Sequence, residues 1–177
     1  ISMKINRIFA KNYFYHFDYL PKNLKSQKIS DKQISKAHNL IASSLKPIVV
    51  IGSQVVINQK KKDINNFINN FINLGLPVYL SSSARGLFSD QYDLQLYHNR
   101  SKAVREADLI ILLGVTCDFR LNYGKVLNNK AKIISVNHNK EALYLNQPIF
   151  WKGELLIHSN PIVFINKLDI SKKSKID

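Results

Sequence analysis

One cysteine, Cys117, in 177 residues leaves no disulfide framework and no cysteine metal cluster within the chain. Its scarcity fits a reducing, intracellular compartment, with attachment to a membrane through segments outside this chain left open. No apolar run approaches the ~20 residues that span a bilayer. Glycine is rare, at six residues, and no Gly-x-Gly-x-x-Gly fingerprint occurs. Arginine is rarer still, five against 21 lysines, although the net charge is +14. Phosphate and base recognition draws on arginine forks and interleaved aromatics. Lysines scattered among Asn and Ile read instead as a solvated surface, so neither nucleic acid nor a membrane is an expected partner. The histidines, His16, His38, His98, His138 and His158, stand neither at i, i+4 nor beside carboxylates in ligand spacing. No serine sits in a Gly-x-Ser-x-Gly elbow. Cys117 reads as a small core thiol. No catalytic residue and no metal ligand is expected.

What is present is a core: 45% of residues are apolar, enough for one folded domain. The chain opens on Ile1 rather than Met, which reads as a piece of a longer protein. Residues 1–29 form an aromatic-rich linker or strap, with Phe9, Tyr13, Phe14, Tyr15, Phe17, Tyr19 and Leu20 ahead of Pro21. The domain proper is expected at 30–170 and a frayed basic tail at 171–177. Ser30-Asp-Lys-Gln33 is a capping box, with Ile29 and Ile34 spaced as a hydrophobic staple. Ile34, Ala37, Ile41 and Leu45 then give a helical stripe. Ile64, Phe67, Ile68, Phe71 and Ile72 mark a second helix, Lys61 to Leu74, stopped by Gly75.

Short apolar strands are expected at 47–52, 77–80, 109–113, 132–137 and, more weakly, 155–158. A short helix runs from Arg100 to Ala107, and Asn160-Pro161 opens the last one. Ser81 to Tyr97 reads as a long polar loop. Alternating strands and helices predict an α/β, three-layer Rossmann-like domain: a mostly parallel sheet of five or six strands with helices on both faces.

In such sheets ligands gather at the carboxyl ends of the strands. Gly52-Ser53-Gln54 follows the first strand, where a glycine either admits a phosphate or simply closes a turn. After the second comes Ser81-Ser-Ser-Ala-Arg85, suited to a pyrophosphate or to a flexible surface. After the third comes Gly114-Val-Thr-Cys-Asp118-Phe-Arg120. Here Asp118 can cap a turn, and Arg120 can clamp an anion or pair with Asp118. Asn137 ends the fourth strand, where dinucleotide-binding domains keep an acid for ribose hydroxyls, or where a plain turn residue would stand.

From about Lys46 to Leu168 the chain resembles the central domain of thiamine-diphosphate-dependent enzymes of the acetolactate synthase group. The residues carrying this are Lys46-Pro-Ile-Val-Val-Ile-Gly-Ser-Gln54, Leu74-Gly-Leu-Pro-Val78, Ala84-Arg-Gly-Leu87, Asn99-Arg100, Glu106-Ala-Asp-Leu-Ile-Ile-Leu-Leu-Gly114, Cys117-Asp-Phe-Arg-Leu-Asn-Tyr-Gly124 and Lys132-Ile-Ile-Ser-Val-Asn137. Asp118-Phe-Arg-Leu-Asn-Tyr-Gly124 with Asn137-His-Asn-Lys140 and Ile149-Phe-Trp151 looks most like the acetolactate-synthase-like, 2-hydroxyacyl-CoA lyase branch. The resemblance implies a parent with a pyrimidine-binding and a pyrophosphate-binding domain, which hold thiamine diphosphate and Mg²⁺. It implies a homodimeric or homotetrameric parent that makes or cleaves a carbon–carbon bond beside a carbonyl. In the suspected branch, a 2-hydroxyacyl-CoA gives an aldehyde and formyl-CoA. The central domain is non-catalytic, and in some members it holds FAD or ADP. By motif match that cofactor site is Gly52, Ser53, Gln54, Arg85, Gly114, Asp118, Arg120 and Asn137. Asn137 and Ser159-Asn160 depart from the acids and Gly-Asp of many relatives. The alternative is a stand-alone nucleotide-binding or sirtuin-like module.

Overall fold

The computed structural model describes residues 27–89 and 92–168. The aromatic stretch from Phe9 to Leu20 and the tail 171–177 lie outside them. Six strands form one parallel sheet: β1 (Pro47–Ile51), β2 (Val78–Leu80), β3 (Gln95–Leu96), β4 (Leu109–Leu113), β5 (Lys132–Asn137) and β6 (Leu155–His158). Their order is β3-β2-β1-β4-β5-β6. The chain therefore winds outward in both directions from β1 and β4, and the switch point lies between those strands.

Every side chain of β4 is buried, and four of the five in β1. Strands covered on both faces cannot alternate with polar residues, hence the unbroken Val/Ile/Leu runs. Val49, Ile51, Ile111 and Leu113 point into a core shared with Phe67, Phe71 and Phe164. These come from α2 (Lys61–Leu74) and α5 (Pro161–Lys167), with Ala37 and Ile41 of α1 (Asp31–Ala42) beside them. Ile48, Val50, Ile110 and Leu112 point the other way, against Val104 of α3 (Arg100–Glu106) and Leu121, Val126 and Leu127 of the β4–β5 crossover. That crossover carries no α-helix, only the 3₁₀ turns of Phe119–Gly124. Asn122 and Tyr123 hold φ of 48° and 57° there, a left-handed step that prevents helix propagation. α4 (Lys140–Tyr144), capped by the Asn139 side chain, links β5 to β6.

The expected capping box forms. Gln33 N–H donates to Ser30 Oγ at 3.3 Å and Ser30 N–H to Gln33 Oε1 at 3.0 Å, an arrangement whose Ser cap contributes about 1 kcal/mol. Ile29 is buried beneath it. Leu45 does not extend the stripe: it is 90% exposed. The Asp108 carboxylate accepts the amides of Leu45 and Lys46 at 2.7 and 2.9 Å, drawing the chain out of α1 into β1. These bonds outweigh the burial of Asp108 and hold its pKa below the ordinary value. The segment 81–97 is not a plain polar loop either. It contains a 3₁₀ turn, Ser82–Ala84, and β3, and it buries Phe88 and Tyr92 against Phe71, with ring centroids 5.2 and 5.8 Å away.

Candidate functional site

The loops after β1, β4 and β5 meet at the switch point. Gly52 and Gly114 face each other there: a Cβ on Gly52 would lie 2.3 Å from the Gly114 carbonyl oxygen. A Cβ on Gly114, whose φ is 63°, would lie 2.7 Å from the Gln54 Cβ. Both glycines are thus demanded by neighbouring protein atoms, since no side chain fits either gap.

Gln54 lies across this junction. Its Nε2 donates to Asn137 Oδ1 at 2.7 Å, and its Oε1 accepts the His138 amide at 3.2 Å. Asn137 is fully buried. It donates to the Val115 carbonyl at 3.1 Å and accepts the Asn139 amide at 2.9 Å. Gln59 continues the chain of amides, donating to the Gln54 carbonyl at 3.2 Å and accepting from Asn160 at 3.1 Å. Asn160 caps α5, accepting the Ile162 amide at 2.8 Å. A belt of neutral amides therefore runs along the carboxyl edge from β6 to β4. Asn137 is buried and Gln54, Gln59 and Asn160 are partly so, which is tolerable because each is paired. None of these amides ionises at ordinary pH, so the belt positions loops and supplies no acid or base.

Asp118 and Arg120 pair with each other. Arg120 Nε lies 3.1 Å from both carboxylate oxygens, and Nη2 reaches Asp118 Oδ2 as well. Asp118 also accepts the Arg120 amide at 2.9 Å, capping the turn. The Arg120 guanidinium, bonded to the carboxylate, holds Asp118 below the usual carboxylate range. Arg120 Nη1 continues to Ser82 Oγ at 2.7 Å, and its carbonyl accepts from Arg100 Nη2 at 2.8 Å. Gly52, Ser53, Gly114 and Arg120 border one cleft of about 30 Å³. Gln54, Asp118 and Asn137 surround it through the bonds above, while Arg85 stands apart, on a separate groove beside β2.

A cleft that small admits a water-sized group, whereas ligand sites for small molecules run to roughly 300–1,000 Å³. With Gln54 over Gly114 and the Asn137 carboxamide already bonded, these residues as arranged do not fit a dinucleotide. Cys117 is 1% exposed, and burial, with the Asp118 charge behind it, pushes its thiol up to about 12. It is a core thiol. Among the described residues no three His, Cys, Asp or Glu side chains gather to hold a metal, and no helix is long and apolar enough to cross a membrane. The partnership of Ser82, Gln59 and His138 in this edge was not legible in the sequence, because their contacts join distant loops.

A doubly wound sheet with an amide-sealed switch point defines a Rossmann-like scaffold domain. A family model for the central domain of thiamine pyrophosphate enzymes matches residues 34–152. The chain is 36% identical to human 2-hydroxyacyl-CoA lyase 2 over 149 residues, covering 84% of this chain and 23% of that protein. It is 39% identical to the Xenopus laevis 2-hydroxyacyl-CoA lyase 2 over 142 residues, 80% of this chain and 22% of that protein. It is 25% identical to acetolactate synthase large subunit IlvG of Mycobacterium tuberculosis over 116 residues, 66% of this chain and 21% of that protein. The chain belongs to the thiamine pyrophosphate enzyme central-domain family. It spans about a quarter of the length of the relatives it matches.

Proposed function

We propose that this chain is the non-catalytic central domain of a thiamine-diphosphate- and Mg²⁺-dependent carbon–carbon lyase acting on 2-hydroxyacyl-CoA thioesters. The observation that carries the reading is the gradient of likeness: 36% identity to the human lyase over 84% of the chain, against 25% to the synthase over 66%. In this reading the pyrimidine- and pyrophosphate-binding domains of the same parent hold the cofactor and metal, and the parent assembles as a homodimer or homotetramer. The cofactor supplies the carbanion chemistry. Gly52, Ser53, Gln54, Gly114, Asp118, Arg120 and Asn137 keep the carboxyl edge rigid against those domains, with Arg85 at its border. The sealed cleft favours this role over FAD or ADP binding at the switch point and over a stand-alone nucleotide module.

The test is an assay of the product of the full reading frame, loaded with thiamine diphosphate and Mg²⁺. Cleavage of a 2-hydroxyacyl-CoA into an aldehyde and formyl-CoA is expected, with none from this chain alone. Acetolactate formation from pyruvate with the thioester left intact would reverse the assignment. Calorimetric titration of FAD and ADP into the chain supplies the second arm. Binding abolished by opening the Gln54–Asn137 bond would restore the nucleotide role at the switch point.

A further inference from the structure

Beside the sealed switch point lies a second, much larger concavity. It opens on the second face of the sheet, between α3 and the β2–β3 edge, and holds about 850 Å³. That is the size range of sites for ligands as large as a nucleotide. Arg85, Arg100, Lys102 and Arg105 line it, and among the described residues no Asp or Glu does. The described ion pairs are Lys36–Glu154, Arg120–Asp118 and Lys132–Glu154, so none of these four cations is neutralised by a described carboxylate. Three of the chain's five arginines thus converge on one groove, in a protein whose other positive charge is nearly all lysine. Guanidinium forks match phosphate oxygens in pairs, and a concave surface of one sign concentrates counter-ions.

The rest of the lining suits an organic anion better than a bare one. Tyr97 is 67% exposed at the groove, a ring on which a purine can stack. Gln95 also lines it, and its buried Oε1 has no donor among the described residues. An amino or hydroxyl group brought by a ligand would relieve a polar atom that is otherwise costly to bury. Arg120, by contrast, is already held by Asp118, and its carbonyl anchors Arg100 at the groove's inner end.

We propose that the groove between α3 and the β2–β3 edge seats the phosphate-bearing adenosine end of a coenzyme A thioester. This rests on the lyase reading above for the choice among adenosine phosphates. Coenzyme A carries a diphosphate and a 3′-phosphate on adenosine, an anion able to engage all four cations while its base lies on Tyr97.

The experiment is calorimetric titration of coenzyme A, dephospho-coenzyme A and ADP into the chain at 0.15 M salt, chosen to suppress non-specific attraction to the +14 surface. Coenzyme A is expected to bind, and loss of the 3′-phosphate to weaken it by about tenfold or more, as removal of charge-assisted hydrogen bonds does. Arg85→Gln with Arg105→Gln should weaken coenzyme A by at least about tenfold at an unchanged melting temperature, since both side chains are exposed. Lys61→Gln with Lys62→Gln on α2, an equal loss of charge on the opposite face, should leave affinity unaltered. No binding, equal affinity for ADP and coenzyme A, or equal losses in both double variants would overturn the proposal. In the parent, the arginine variant should raise KM for the thioester with kcat preserved. An unchanged KM in a parent that does cleave 2-hydroxyacyl-CoA would remove the groove and leave the lyase reading standing. Arginine-dependent coenzyme A binding in a parent that makes acetolactate would uphold the groove and sink the lyase reading.

Discussion

At the scale of single residues, Asn137 separates a holding role from a ligand-binding one. An Asp in its place would keep the two acceptor contacts, to Gln54 Nε2 and the Asn139 amide, but would lose the donor to the Val115 carbonyl. It would also set a fully buried carboxylate against that carbonyl. Asn137→Asp should therefore cost about 3 kcal/mol at pH 7, the scale of an incompletely compensated buried charge. Burial raises the folded-state pKa of such an Asp above its unfolded value near 4. The deficit is then full above the raised pKa and shrinks as pH falls through it. Urea denaturation of the native chain and the variant at pH 7 and pH 4.5 reads this directly. An equal deficit at both pH values would mean that the damage is steric rather than electrostatic.

At the scale of elements, the segment between β2 and α3 is the informative one. Its polar residues read as a loop, yet Phe88 is 1% exposed, stacked on Phe71 and tilted against Tyr92, with centroids 5.2 Å from each. Tyr92 donates to the Leu76 carbonyl at 2.8 Å, and burial pushes its phenol up to about 12. Phe88→Ala should cost about 3–5 kcal/mol, as core aromatic truncations do. A loss below about 1 kcal/mol in chemical denaturation would return the segment to loop status. The long apolar strands and α2 were legible because pattern and burial coincide in them: β4 is unbroken Leu/Ile, β1 is all Val/Ile after Pro47, and Phe67, Phe71 and Leu74 mark one face of α2. β3, a two-residue edge strand, has no periodicity to read, and α4 offers only the Asn139 cap. The candidate site was legible in position, since it follows the strand ends, but not in use. Gln54 bonds Asn137 across 83 residues, and Arg120 bonds Ser82 across 38. Pairing over such separations is fixed by strand order, which no local pattern encodes.

At the scale of the whole molecule, charge is the dominant unbalanced quantity. A net +14 on 177 residues repels itself in the compact state more than in the expanded one. Among the described residues only three ion pairs set attraction against it, and two of those share Glu154. Lys36, Lys132 and Glu154 are all solvent-accessible, and such pairs each contribute about 0–1 kcal/mol. Raising ionic strength from 0.01 M to 0.1 M shortens the screening length from about 30 Å to about 10 Å. That range removes repulsion between lysines spread over the surface, while the bidentate Arg120–Asp118 contact is screened much less. Relief of about 1 kcal/mol corresponds to roughly 2–4 °C in a domain of this size. The melting temperature in sodium chloride should therefore climb by about that much across this interval. A fall would mean that the exposed ion pairs outweigh the lysine field, and the surface would then need to be read as a paired network rather than as a solvated coat.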